Sequence, residues 1–236
     1  MSPLAPDHRE MPACIDEFAA DAVLPRHHHR EGYASIILAG RFTEASFCGL
    51  SPVQPGDVLL HGRFDRHCDH GVGGTRRIEI LWLPWTNDQL EGHFRIDDPD
   101  VLARVAETDL RAAVAMLARG IRPVEAAQAH WSHALAKELV SETSTSLREW
   151  SDRAGVRPEA LSRGFRRHFG VSPKLYRLEA RSRRAWRKVV RSSEPLTSIA
   201  YDCGFADLAH LSRSIRALTG APPSAWRSAQ NVSEAD

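Results

Sequence analysis

Residues 146–227 contain the same arrangement twice, and that repeat constrains the fold more than any other feature. Leu161, Ser162, Arg163, Arg166, Gly170, Pro173 and Arg177 fall in register with Leu211, Ser212, Arg213, Arg216, Gly220, Pro223 and Arg227. Phe165 matches Ile215, and Tyr176 matches Trp226, as apolar equivalents. A short amphipathic segment ending in glycine precedes each copy: Leu147–Gly155, then Leu196–Gly204. Helix, glycine turn and second helix, twice over, is the pattern of two helix-turn-helix units.

Local signals place the helices. Ser146 followed by Glu149 reads as a capping box opening the first. Pro158 suits the first position of the next, where its missing N–H loses no hydrogen bond. Ser172 and Pro173 repeat that logic for a longer helix running to about Arg191. Leu147, Ala154, Leu161 and Phe165 form one apolar set, and Ile199, Ala200, Leu211 and Ile215 the other. Arg163 and Arg213 lie off these stripes and are expected to point outward.

Charge is unevenly divided. Residues 146–227 carry 17 Lys and Arg against 7 Asp and Glu, whereas residues 1–145 carry 14 against 21. The whole-chain balance of +1 therefore hides a basic C-terminal domain, the electrostatic footprint of nucleic-acid binding.

With Gly170-Val171-Ser172-Pro173, Gly204-Phe205-Ala206-Asp207 and the closing Pro222-Pro223-Ser224-Ala225-Trp226-Arg227, residues 146–227 resemble the AraC/XylS family of bacterial transcription regulators. The resemblance implies that helices Pro158 to Phe169 and Asp207 to Leu218 enter successive major grooves of double-stranded DNA. The connecting helix, about 19 residues at ~1.5 Å each, spans ~28 Å, close to the ~34 Å between grooves one turn apart. By the same resemblance, bases are read from Glu159, Ser162 and Arg163, and from Leu208, Ala209, His210 and Arg213. Arginine reaches guanine O6 and N7 and glutamate accepts from cytosine N4, whereas Leu208 and Ala209 offer only apolar contact, as to a thymine methyl. Arg166, Arg167, Lys174, Arg177, Arg181, Arg183 and Arg184 are assigned to phosphates.

Three domains are expected: residues 13–96 a β domain, residues 97–145 a helical linker and dimerisation region, and residues 146–229 the DNA-binding domain. The class is α+β, an N-terminal β-barrel followed by an all-α C-terminal domain. No apolar run is long enough to cross a bilayer. The polar, proline-rich start has no signal-peptide core. Cys14, Cys48, Cys68 and Cys203 lack paired spacing and read as reduced thiols, so the expected location is the cytoplasm.

Between residues 13 and 85, strand-like runs (34–40, 42–48, 58–61 and 77–82) alternate with Gly40, Gly49, Pro55-Gly56-Asp57 and the glycines of residues 71–74. Their order resembles a cupin barrel: a His-x-His strand, a glycine, Pro-Gly-Asp and a later histidine. His27, His29, Glu31 and Tyr33 alternate onto one strand face, and His61 and His67 follow the Pro-Gly-Asp turn. The resemblance implies that His27, His29 and His67 bind a divalent metal, with Glu31 as the carboxylate on that face. Zinc, iron, nickel or manganese would suit such a set. Where metal-binding cupins place a glutamate, however, this chain has Tyr33 or Ala34. A metal-free pocket for an organic effector, lined by some of these residues, is the alternative.

Asp98 and Pro99 open a helix with the stripe Leu102, Ala106, Leu110, Ala113 and Leu117, ending at Gly120. A second is expected from about Pro123 to Thr143, with Val124, Ala127, Trp131, Leu135 and Leu139 on one side. The resemblance implies homodimer contacts here; the other outcome is packing on the barrel. Residues 141–146 read as a flexible linker. The reading is a transcription regulator, not an enzyme, that binds double-stranded DNA and a small-molecule or metal effector. An activator would also engage RNA polymerase. A metal-dependent cupin enzyme fused to a DNA-binding domain and a non-specific architectural DNA protein are the alternatives.

Overall fold

Side-chain alternation along the early strands sets the layering of the N-terminal half. The computed structural model describes residues 13–19, 21–71, 77–125, 130–141 and 146–233. One sheet has the order β1 (Cys14–Ala19), β8 (Arg77–Pro84), β3 (Tyr33–Ala39), β6 (Asp57–His61), β9 (Gly92–Arg95) and β10 (Arg122–Pro123). The other has the order β2 (Val23–His28), β7 (Arg66–Gly71), β4 (Phe42–Ser46) and β5 (Gly49–Val53). Each recorded strand pairing is antiparallel.

Because side chains alternate across a strand, β3 and β6 are buried on both faces. Tyr33, Ile37, Leu59, Ile80 and Trp82 of the first sheet share a cluster with Phe42 and Val53 of the second. Ala34, Ile36, Val58, Leu60, Leu81 and Leu83 pack on the opposite face with Leu102, Ala106, Ala113 and Leu117. The order of layers is therefore helix, sheet, sheet. Burial of each large aliphatic side chain here contributes about 1.5–3 kcal/mol.

The helical stripe after Asp98 forms two helices rather than one, α1 (Pro99–Thr108) and α2 (Leu110–Gly120). Asp109 adopts an extended backbone between them, and its side chain accepts a hydrogen bond from Ala112 N, capping α2. This local capping competes with helix continuation at that residue. Leu102, Ala106, Ala113 and Leu117 of the stripe pack inside the β unit, with Leu110 partly buried beside them. The next helix is also shorter than expected. Pro123 lies in β10, paired with Phe94, and α3 spans only Trp131–Val140. Ala127 and residues 142–145 of the expected linker lie outside the described residues.

The chain divides into two compact units, Met1–Lys137 with Arg167–Gly170 and Glu138–Arg166 with Val171–Asp236. The helical unit contains α4 (Leu147–Ala154), α5 (Pro158–Phe169), α6 (Pro173–Arg191), α7 (Leu196–Asp202), α8 (Leu208–Thr219) and α9 (Pro223–Ser233). The capping box forms as expected: Glu149 N donates to Ser146 Oγ and Ser146 N to Glu149 Oε2. Ser172 and Asp207 cap α6 and α8 through their side chains.

The repeat extends to backbone detail. Gly155 closes α4 at φ 64°, and Gly204 follows α7 at φ 72°, a region where a side chain is strained. Val156 N donates to Ser151 O in the first copy, and Phe205 N donates to Ala200 O in the second. Both are the six-to-one bond that ends a helix at a left-handed residue. Leu161, Phe165, Leu211 and Ile215 are buried beneath the turns.

Candidate nucleic-acid interface and histidine cluster

The β unit collects polar groups in the space between its sheets. β2 and β7 pair with His27 opposite His67, and a register shift lies between Leu24 and His27. His61 ends β6 on the interior face that Leu59 also occupies, and Glu44 follows Phe42 by two residues on β4. His61, His67 and Glu44 are each no more than 3% exposed. The ring centroids of His27 and His67 are 4.2 Å apart, and those of His61 and His67 are 4.6 Å apart. One nitrogen each from His27, His29 and His67 lie within 4.8 Å of one another. Glu44, His61 and His67 form a second such group.

These groups differ in charge. His61 Nε2 lies 3.1 Å from Glu44 Oε2, and its Nδ1 lies 3.1 Å from Asp65 Oδ2. Burial opposes charge on His61, but Glu44 and Asp65 outweigh it and push its pKa up to about 10. Burial, then the neighbouring imidazoles, hold His67 well below the usual histidine value. Burial also lowers His27, partly offset by the Pro25 carbonyl. Asp69 is raised well above the carboxylate range, by burial and then by Glu44. The cluster thus joins a charged imidazolium held by carboxylates to neutral imidazoles.

The neutral imidazoles fit a metal ion. His27 Nδ1 lies 2.8 Å from Pro25 O; donating there leaves Nε2 as the lone pair, the outer-shell arrangement common to metal-binding histidines. His67 Nε2 lies 3.1 Å from Tyr33 Oη, while its buried Nδ1 has no hydrogen-bond partner among the described residues. The donor set suits zinc, cobalt, nickel or iron.

Two expected residues stand elsewhere or play another part. β2 ends at His28, and the chain turns before Tyr33 begins β3, so the expected single strand face does not continue through Glu31. Glu31 is exposed and pairs with Arg63, 3.5 Å away, outside the cluster. His61 is within it, but both ring nitrogens face carboxylates. Glu44, Asp65 and Asp69 were not among the expected residues. The signal for Glu44 was strand parity, because Phe42 and Glu44 must share a face. A separate cleft of about 390 Å³ in this unit is lined by Phe42, Leu50, Val53, Asp57, His93 and Arg95, among others, and includes none of the clustered histidines. Arg95 clamps Asp57 there through Nε and Nη2, at 2.8 and 2.6 Å.

On the helical unit, α5 exposes Glu159, Ser162 and Arg163, and α8 exposes Leu208, Ala209 and Arg213. His210 is half-buried, edge-on to Phe205 with centroids 5.2 Å apart. Residues 150–229 match the family described as a helix-turn-helix domain. Over 75 residues the chain is 35% identical to the HTH-type transcriptional activator RhaS of Pectobacterium carotovorum subsp. carotovorum (strain PC1). That match covers 31% of this chain and 27% of the relative, so the chain spans about a quarter of that protein's length. Residues 150–229 are a helix-turn-helix domain similar to that of this activator.

Solved structures with similarity include a probable AraC family transcriptional regulator from Rhodopseudomonas palustris CGA009. It is 19% identical with a TM-score of 0.40, covering 42% of this chain and 96% of that one. Unsaturated fatty acid bound ToxT from Vibrio cholerae strain SCE256 is 11% identical with a TM-score of 0.39, covering 91% and 94%. The assignment rests on the sequence match, not on these likenesses.

Within the helix-turn-helix domain, the basic residues divide by environment. Arg166, Arg167 and Lys174 are exposed, and Arg177 and Arg184 are half-buried. Arg181 Nη1 donates to Gly204 O at 2.6 Å, and its guanidinium lies 5.7 Å from the centre of the Phe205 ring. Arg183 is buried. Arg181 therefore ties the connecting helix to the second turn, a role the sequence pattern did not distinguish from phosphate contact. Among the described residues, no helix is long and apolar enough to cross a membrane.

Proposed function

We propose that this chain is a sequence-specific DNA-binding transcription regulator whose β unit is a cupin-like sensor. One observation carries the reading. Two helices, each second in its helix-turn-helix unit, expose Glu159, Ser162 and Arg163, and Arg213, from a domain with 17 basic against 7 acidic residues. Phosphate attraction supplies affinity, while arginine and glutamate at base edges supply discrimination. α6, 19 residues long, spans ~28 Å between the two helix-turn-helix units.

For the sensor, His27, His29 and His67 would hold a divalent transition-metal ion. Bound there, the ion would supply a cross-link between neighbouring strands, and its binding free energy would stabilise the β unit. The Phe42, Leu50 and Val53 wall of the cleft beside Arg95 favours a second reading, an organic effector seated there.

Selection of bound duplexes from a random pool tests the regulator reading. Enrichment of two sequence blocks about 10 base pairs apart is expected. Recovery of unenriched sequence would leave a non-specific DNA-binding protein.

A further inference from the structure

The histidine cluster contains a carboxylate that the cupin pattern does not place. Glu44 is 3% exposed, and its Oε2 lies 3.1 Å from His61 Nε2. His67 belongs both to the group containing Glu44 and to the group containing His27 and His29.

A divalent ion on three imidazoles brings two positive charges into a buried space, and buried charge needs an opposite charge at contact distance. Glu31 lies outside the cluster beside Arg63. Asp65 is engaged with His61 Nδ1, and Asp69 belongs to neither group of neighbouring ligand atoms. Both ring nitrogens of His61 are taken up by carboxylates, Nε2 by Glu44 and Nδ1 by Asp65, each at 3.1 Å. Glu44 is the carboxylate that shares a ligand group with His67.

Resting on the reading that the β unit binds a divalent ion, we infer that Glu44 is that ion's anionic ligand, exchanging its contact with His61 for one to the metal beside His27, His29 and His67. A tetrahedral ion with bonds of about 2.1 Å sets its ligand atoms ~3.4 Å apart. His27, His29 and His67 lie within 4.8 Å of one another, as do Glu44, His61 and His67, so side-chain movement about the shared His67 would bring the carboxylate to the same ion. The exchange has a mechanical consequence. β2, β7 and β4 are consecutive strands of one sheet, whereas His61 belongs to the other. The ion replaces a bond between the sheets with bonds inside one sheet, so its arrival changes how firmly the sheets are held together.

Cobalt(II) titration of the full chain tests the exchange, because four-coordinate Co2+ absorbs visible light far more strongly than six-coordinate Co2+. Wild-type protein is expected to bind one ion per chain with strong visible bands. Loss of a ligand should cost at least as much as loss of an outer-shell partner, so Glu44→Gln should weaken binding by about tenfold or more and change the bands. His61→Asn frees Glu44 from its resting partner and should tighten binding. Far-UV circular dichroism checks that each variant is folded. If Glu44→Gln does not fold, the direction of change in His61→Asn decides. No cobalt uptake by wild type would remove the metal reading and this inference with it. Uptake with unchanged affinity and bands in Glu44→Gln would keep the ion but overturn the role of Glu44. Weakened binding in His61→Asn would make His61 a ligand and overturn the exchange.

Discussion

His61 and His67 lie in one cluster yet titrate in opposite directions, which gives the β unit a defined pH response. His61 is raised from 6.5 to about 10, so its stabilising contribution is complete below pH 6.5 and is lost as the pH rises towards 10. His67 is lowered well below 6.5, so the unfolded chain takes up its proton first and stability falls as the pH drops below 6.5. Thermal melting across pH should therefore peak near neutrality. In Glu44→Gln the alkaline decline should become shallower, because Glu44 is the largest influence raising His61. An unchanged alkaline slope would mean the Glu44–His61 pair does not set it. On the DNA side, Arg163→Ala should cost about 1–3 kcal/mol on the preferred site and relax preference at one base pair. Arg166→Ala should weaken all sequences alike and reduce the salt dependence. Filter binding on specific and random duplexes separates the two. Arg163 was legible because its offset from the buried Leu161 places it outward. The pairing of Glu44 with His61 was not, because the two are 17 residues apart and it depends on how two sheets face each other.

Backbone conformation decides the helix-turn-helix elements more than side-chain chemistry does. At Gly155 an added Cβ would meet nothing within 4 Å, so the cost of Gly155→Ala is conformational alone. It should be about 1 kcal/mol, the usual strain of a left-handed residue, measured by urea unfolding of the full chain. A loss near zero would mean the turn relaxes out of that conformation. Caps and repeats made these helices readable: Ser146 with Glu149, Pro158, and Ser172 with Pro173 act within one turn of their position. The linker helices were less readable for a physical reason. Apolar spacing through Leu102, Ala106, Leu110, Ala113 and Leu117 continues across Asp109, while the backbone does not. The hydrophobic stripe reports the face that packs on the sheet, and a capping side chain can break the helix beneath it. Pro123 was lost to a β pairing with Phe94, a contact the local pattern does not carry.

At the scale of the molecule, charge separates the two halves: an excess of acid over residues 1–145 and a basic helical domain over residues 146–227. If the β unit regulates DNA binding, linkage requires reciprocity. An ion that changes operator affinity by a given factor must have its own affinity changed by operator DNA by the same factor, typically 5–150-fold. Cobalt titration with and without operator duplex checks this, and identical ion affinity in both would uncouple the halves. The central claim is sequence-specific DNA recognition by the duplicated helix-turn-helix. Its most direct test is competition of the full chain between the selected duplex and a scrambled duplex of equal length and composition, at one fixed salt concentration. A preference of about 10³-fold or more for the selected duplex is expected; equal affinity for both would contradict the account.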